Sequence, residues 1–231
     1  MPFLGRKEIR EFKIIMKKYF VGILTFISIS FFTMMSANAG VGVALTVGQA
    51  QTDGKESEKS GDVGPETNNK SISEAFYGGS IFAEAQVGSI VIGLDWVPVD
   101  IELGSGSRVD SVSGADVPSE GESGERKAEA ALENLMTLYT NIPIGSSGFY
   151  LLGGVHNADL TTTETLPNST YPDADVWGYQ VGFGNNSQRL AWEVFYSDFE
   201  SVSLASTSGS SKVEGDADAM GLKLKLRIGS Y

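Results

Sequence analysis

Residues 220–228 run Met220-Gly221-Leu222-Lys223-Leu224-Lys225-Leu226-Arg227-Ile228, and Gly229-Ser230-Tyr231 follow. In an extended chain successive side chains point to opposite faces. Met220, Leu222, Leu224, Leu226 and Ile228 therefore share one face, and Gly221, Lys223, Lys225, Arg227 and Gly229 share the other. An unbroken aliphatic face backed by a cationic one needs hydrocarbon on one side and a polar interior on the other. The segment after Gly40 has the same period, with Val41, Val43, Leu45 and Val47 against Gly42, Ala44, Thr46 and Gly48.

Six further segments between these two alternate, and no long segment shows a helical period. Ala75–Gln86 sets Tyr77, Ile81, Ala83 and Ala85 against Phe76, Ser80, Phe82 and Glu84, and Ser89–Val97 sets Ile90, Ile92, Leu94 and Trp96 against Val91, Gly93 and Asp95. Gly148–Asp159 puts Phe149, Leu151 and Val155 opposite Tyr150, Leu152 and His156. Asp175–Gly184 sets Trp177, Tyr179, Val181 and Phe183 against Gly178, Gln180 and Gly182, and Arg189–Asp198 sets Leu190, Trp192, Val194 and Tyr196 against Ala191, Glu193 and Phe195. Glu129–Ile142 has apolar residues in both phases, so its faces stay unassigned.

Eight strands result, good to about one hairpin. The links between them alternate in length: long at 50–74, 98–128, 160–174 and 199–217, short at 87–88, 143–147 and 185–188. A sandwich has no reason to keep that order, whereas an up-and-down membrane barrel has long extracellular loops and tight periplasmic turns. The long links are rich in Ser, Gly, Asp and Glu, a composition that buries little and stays in water. Aromatics form a second pattern. With the first strand running outward, Tyr77, Trp96, Trp177 and Tyr196 fall at the extracellular rim, and Phe149, Phe183, Trp192 and Tyr231 at the periplasmic rim, as in the two girdles of a transmembrane barrel. The expected fold is an all-β, antiparallel transmembrane barrel over residues 40–231.

The segment before it reads as an export signal. Lys17 and Lys18 precede an apolar stretch, Phe20 to Met35, and Ala37-Asn38-Ala39 forms a small-x-small cleavage site ahead of Gly40. Residues 1–39 are thus expected to be removed, with Met16 as an alternative start. The chain of 231 residues has a formal charge of −12, and loss of residues 1–39 leaves 11 basic and 27 acidic residues. That balance argues against nucleic acid as a partner. Cysteine is absent, which excludes disulfides, a thiolate metal site, a cysteine nucleophile and a lipoprotein anchor.

Together these features resemble the small eight-stranded outer-membrane barrels, the group that includes the outer-membrane protein A-like domains. The most specific local feature is the ending, where Leu222, Leu224, Leu226, Ile228 and Tyr231 resemble the C-terminal signal read by the barrel-assembly machinery. Tyr231 departs from that pattern by being out of phase with the four aliphatic residues. The resemblance implies integral outer-membrane localisation, lipid and lipopolysaccharide as surroundings, and periplasmic chaperones with the assembly machinery as partners in biogenesis. It carries no peptidoglycan-binding role, because no periplasmic domain follows in this sequence.

An eight-stranded barrel is just wide enough for side chains to fill. Glu84, Asp95, Glu193, Lys223, Lys225 and Arg227 fall on inward faces, and three acids with three bases in such a tube have to pair. The pairing reads first as a plug and second as a narrow, gated path. The inward Gly42, Ala44, Gly93, Gly178 and Gly182 leave room that keeps the path open as an alternative. The lone histidine, His156, has Ala158 where a lipid A deacylase-like strand has its serine, and no serine is expected at catalytic spacing from it. Asp110, Asp116, Glu120, Glu122 and Glu125 crowd one link without a calcium-loop pattern, and Asn168-Ser169-Thr170 is a chance-level glycosylation motif. No catalytic residue, metal ligand or cofactor is assigned. The expectation is a non-enzymatic barrel with a structural or surface-binding role through acidic loops; a small porin-like channel comes second and a lipid-modifying enzyme third.

Overall fold

The computed structural model of the chain describes residues 39–58, 66–110, 124–164, 171–187, 189–207 and 211–228. These form nine strands: β1 (Ala39–Glu58), β2 (Glu66–Val87), β3 (Ile90–Trp96), β4 (Ile101–Asp110), β5 (Gly124–Pro143), β6 (Phe149–Glu164), β7 (Ala174–Ser187), β8 (Leu190–Ala205) and β9 (Ser211–Ile228). They make one antiparallel sheet in the order β3-β2-β1-β9-β8-β7-β6-β5-β4, closed by a further β3–β5 pairing. Both β3 and β4 pair with β5, Val91–Trp96 against Asn141–Met136 and Ile101–Asp110 against Leu132–Gly124. They are two halves of one barrel strand, interrupted between Trp96 and Ile101 where Pro98 has no amide to donate. The result is a closed barrel of eight wall strands.

The wall is inside-out relative to a soluble protein. Leu45, Leu190 and Ile228 are 68%, 62% and 65% exposed, while Glu84, Asp95, Glu193 and Lys225 are each no more than 2% exposed. Exposed aliphatic residues cover β1, β6, β7, β8 and β9, far beyond the few hundred Å² of apolar patch that a water-facing monomer tolerates. Hydrocarbon outside and polar groups within reconcile the two observations. The chain spans a membrane with strands, as an integral barrel of the bacterial outer-membrane kind.

Two structural findings amend the sequence reading. A spanning strand needs roughly 9–11 residues, yet β1, β2 and β5 have 20, 22 and 20. Much of what reads as long links at 50–74, 98–128, 160–174 and 199–217 is strand that stands above the membrane. β1 and β2 stay paired to Glu58↔Glu66, and β8 and β9 to Ala205↔Lys212. Serine- and acid-rich sequence erases the apolar alternation, but a ladder whose register the barrel has already set needs no apolar face to continue. The 98–128 link differs most, because β4 lies within it.

The second finding resolves the ambiguous strand. On β5 the inward residues are Leu132 above and Leu135, Thr137, Tyr139 and Asn141 below. The register shifts between Glu133 and Met136, and Asn134 between them has φ 53°. A bulge inserts one residue and moves every later side chain to the other face, so no single phase fits 129–142. The tight connections fall close to the expected links 87–88 and 143–147, between Val87 and Ile90 and between Pro143 and Phe149, where Gly88, Gly145 and Gly148 take positive φ; β7 runs on to Ser187, into the link expected at 185–188.

Residues 1–38 and Tyr231 lie outside the described residues, as do Asn168, Asp116, Glu120 and Glu122. Ala39 and Gly40 open β1. Leu222, Leu224, Leu226 and Ile228 all face outward.

Packing inside the barrel leaves no space at Gly93, where an added Cβ would run into the Tyr139 ring, whereas Gly153 has nothing within 4 Å. Gly93→Val is expected to lower the unfolding free energy of the refolded barrel in a urea titration by about 1–3 kcal/mol, read by heat-modifiable gel mobility, with Gly153→Ala close to the parent.

Candidate functional site in the lumen

The lumen is stratified, and the lowest layer is ionic. Alternation on β9 turns Lys223, Lys225 and Arg227 inward, facing Glu84 of β2, Asp95 of β3 and Glu193 of β8. Lys225 Nζ lies 2.6 Å from Glu84 Oε1 and 3.2 Å from Glu193 Oε1. Arg227 Nε lies 2.7 Å from Glu84 Oε2, and Lys223 pairs with Asp95. All six sequence-assigned charges thus meet in the lumen and sum to zero.

Neutral groups complete the layer. The Tyr139 hydroxyl donates to Glu84 Oε1 at 2.7 Å and accepts from Lys225 at 2.8 Å. The Tyr150 hydroxyl donates to Glu193 Oε1 at 2.9 Å, and Arg227 donates to the side-chain oxygen of Asn186. The Lys225 ammonium also sits 4.5 Å from the Phe82 ring centre and 4.3 Å from that of Tyr139, close enough for cation–π attraction. Sequence reasoning missed both tyrosines as partners. Tyr150 carried a usable signal, an inward aromatic with a hydroxyl in a strand of known phase; Tyr139 did not, because the bulge hid its face.

Above the charges lies a hydrogen-bonded layer. His156 contacts Thr137 through Nδ1 at 2.7 Å and Ser197 Oγ through Nε2 at 2.9 Å, and Gln180 donates to Ser197 at 3.3 Å. The histidine ring stacks on Phe199 at 5.3 Å. This corrects the expectation that no serine reaches His156: Ser197 comes from β8, two strands away, where linear spacing says nothing. A triad-like base is oriented by a carboxylate, whereas here the second ring nitrogen meets a threonine hydroxyl, and His156 and Ser197 are both 3% exposed.

The third layer is apolar. Leu132, Leu135, Ala158, Val176 and Phe199 form a buried cluster, with Ile101 and Leu103 of β4 packed against it. A cavity of about 70 Å³ lies between this cluster and the His156 layer. On the strand extensions above, a separate open groove of about 790 Å³ is lined by Asp53, Lys55, Lys70, Ser71, Glu214 and Asp216, among others. Lys212 beside Glu214 holds its carboxyl below the usual carboxylate range. Among the described residues no group of three or more His, Asp or Glu is placed to hold a metal ion.

Breaking a buried ion pair by removing one partner costs about 3–5 kcal/mol, because the other charge stays buried and unpaired. Lys225→Met, which takes from Glu193 its paired lysine and leaves Glu84 to Arg227, is expected to lose that much in equilibrium urea unfolding. Lys212→Met in the exposed pair above the membrane is expected to leave the same curve unshifted, because solvent screens that pair.

No protein-family model matches the chain, and comparison with curated proteins gives no match. Among solved structures the chain is similar to the outer membrane protein OprG of Pseudomonas aeruginosa, at 14% identity and TM-score 0.45, covering 84% of this chain and 98% of that one. It is also similar to the outer membrane protease OmpT of Escherichia coli, at 11% identity and TM-score 0.41, covering 82% and 97%. A third is Ail, the attachment invasion locus protein of Yersinia pestis, in complex with the heparin analogue sucrose octasulfate, at 10% identity and TM-score 0.37, covering 80% and 98%. At such values no activity or ligand passes from these proteins to this one, and the fold rests on the chain's own ladders. By closure, strand number and inverted polarity, the chain is a small eight-stranded barrel of the outer-membrane type.

Proposed function

We propose that this protein is a sealed, non-enzymatic outer-membrane barrel whose function lies in its extracellular half, as a surface-binding scaffold. The observation that supports this reading most is the ionic layer. Glu84, Asp95, Glu193, Lys223, Lys225 and Arg227 are paired with one another across the lumen, and two tyrosines fill the space between them. A conducting path needs separated, hydrated charges; this layer joins them into one neutral cluster. Above it, four adjacent strands, β8, β9, β1 and β2, continue past the membrane and carry the open groove lined by charges of both signs. A groove of that chemistry suits a polar or charged surface ligand.

The channel reading keeps one observation in its favour. Ser80 Oγ, Asp95 Oδ1 and Asn141 Oδ1 are buried without a protein partner, the arrangement that internal water satisfies. Conductance separates the two readings. In a planar bilayer the refolded barrel is expected to be silent, and Lys225→Glu, if it folds, to open steps by driving the lumen acids apart. Steady openings in the parent that change size with that substitution would replace the scaffold reading with the channel. The groove has its own measurement: shortening the β1–β2 hairpin by removing residues 53–71 is expected to leave a heat-modifiable barrel and to abolish adhesion of cells displaying it.

A further inference from the structure

The barrel wall is continuous only in its lower part. β2 pairs with β3 from Val87↔Ile90 up to Ile81↔Trp96 and no further. Above that level β4 follows β5, and no β2–β4 ladder forms among the described residues. β4 instead tucks inside the wall. The Thr52 hydroxyl, inward-facing on β1, donates to the Leu103 carbonyl at 3.3 Å, and Gly104, at φ 147°, lies against the Ile72 side chain of β2. A seam therefore opens between β2 and the β3–β4 break from Ser80 upward.

The seam joins two apolar environments. On its outer side lie Tyr77, Ile81, Trp96 and Val99, all exposed, and Gly79 and Tyr77 pair with Leu45 and Val47 of the lipid-facing belt. On its inner side Gly78, Val97, Ile101, Leu103 and Leu135 line the lumen cavity. At Gly78 an added Cβ would meet nothing within 4 Å, so there is open space beside the wall there. Below the cavity the ionic layer blocks passage to the periplasmic end.

From this continuity we infer that the seam is a lateral portal through which a hydrocarbon chain from the outer leaflet reaches the apolar upper lumen, with the His156, Gln180 and Ser197 layer as its floor. The occupant is an unbranched hydrocarbon chain, carried either by a membrane lipid or by a free fatty-acid-like amphiphile dissolved in the leaflet. The cavity of about 70 Å³ accepts the end of such a chain, and the seam accommodates the rest. The inference goes beyond the scaffold reading and stands whether or not the barrel conducts.

The test uses the full chain refolded into vesicles, with Trp96, Trp177 and Trp192 replaced by Phe and one reporter introduced as Phe199→Trp inside the lumen. Bromine on an acyl chain quenches tryptophan only at short range. In vesicles of phospholipid with brominated acyl chains, or in plain vesicles given brominated fatty acid, the reporter is expected to be quenched at least twofold. Gly78→Leu, which fills the portal where there is space, is expected to remove most of that quenching while heat-modifiable folding persists. Quenching by the phospholipid identifies a membrane lipid as the source, and quenching by the fatty acid alone identifies a free amphiphile. A lipid-facing Phe183→Trp reporter in the same background controls for bromine delivery. If that control is quenched while the lumen reporter is not, or if Gly78→Leu leaves the lumen quenching unchanged, the portal is overturned.

Discussion

A backbone amide facing hydrocarbon finds no water to bond, so a sheet that crosses a membrane has to close on itself. In this chain that demand falls on two junctions between strands not joined by a hairpin. β1 meets β9 over eighteen residue pairs, from Val41↔Ile228 to Glu58↔Ser211. β3 meets β5 over only six, from Val91↔Asn141 to Trp96↔Met136. The longer junction ties the ends of the barrel together through membrane and vestibule alike. The shorter one closes the wall only in its lower part and leaves the rest of that sector to β4. Lumen stratification follows from the same asymmetry: the ionic layer sits where closure is complete, and the apolar cavity where it is not.

Inverted polarity has a consequence for stability. The barrel gains little from burying aliphatic residues against one another, because its aliphatic face already has lipid. What fixes its cross-section is the interior, where Lys225 touches two carboxylates, one phenol and two aromatic rings from β2, β5 and β8. Buried ion pairs are weak evidence of net stabilisation, but they are demanding about geometry. Four wall strands have to be in register for that ammonium to be satisfied, so the ionic layer acts chiefly as a specification of shape.

The membrane-embedded wall was legible from the sequence because its physics is local: alternation on 220–228 or 75–86 assigns each side chain a face, and the six lumen charges follow from parity alone. The failures share a cause. β4 and the upper ends of β1, β2, β8 and β9 carry serine, glycine and acids on both faces, so a period of two leaves no trace. Asn134 flips parity in the middle of β5, and although asparagine takes positive φ more readily than most residues, a single asparagine in a strand does not by itself announce a bulge. Ser197 reaches His156 across β7, a distance fixed by barrel curvature and absent from linear spacing. Pro98 was visible, yet its effect on closure depends on where β4 goes afterwards, and that is a tertiary fact.

The distribution of charge along the chain bears on how the barrel comes to be assembled. The three lumen cations of the ionic layer all belong to β9, whereas its acids belong to β2, β3 and β8. A chain emerging from its first residue onward presents Glu84, Asp95 and Glu193 well before any counter-ion for them exists. Docking β9 against β1 then supplies all three cations and removes the last free edge in a single stroke. Incomplete chains accordingly lack both closure and internal neutrality, so a premature intermediate has no low-energy place within the bilayer and remains distinguishable, by its uncompensated negative interior, from a finished wall.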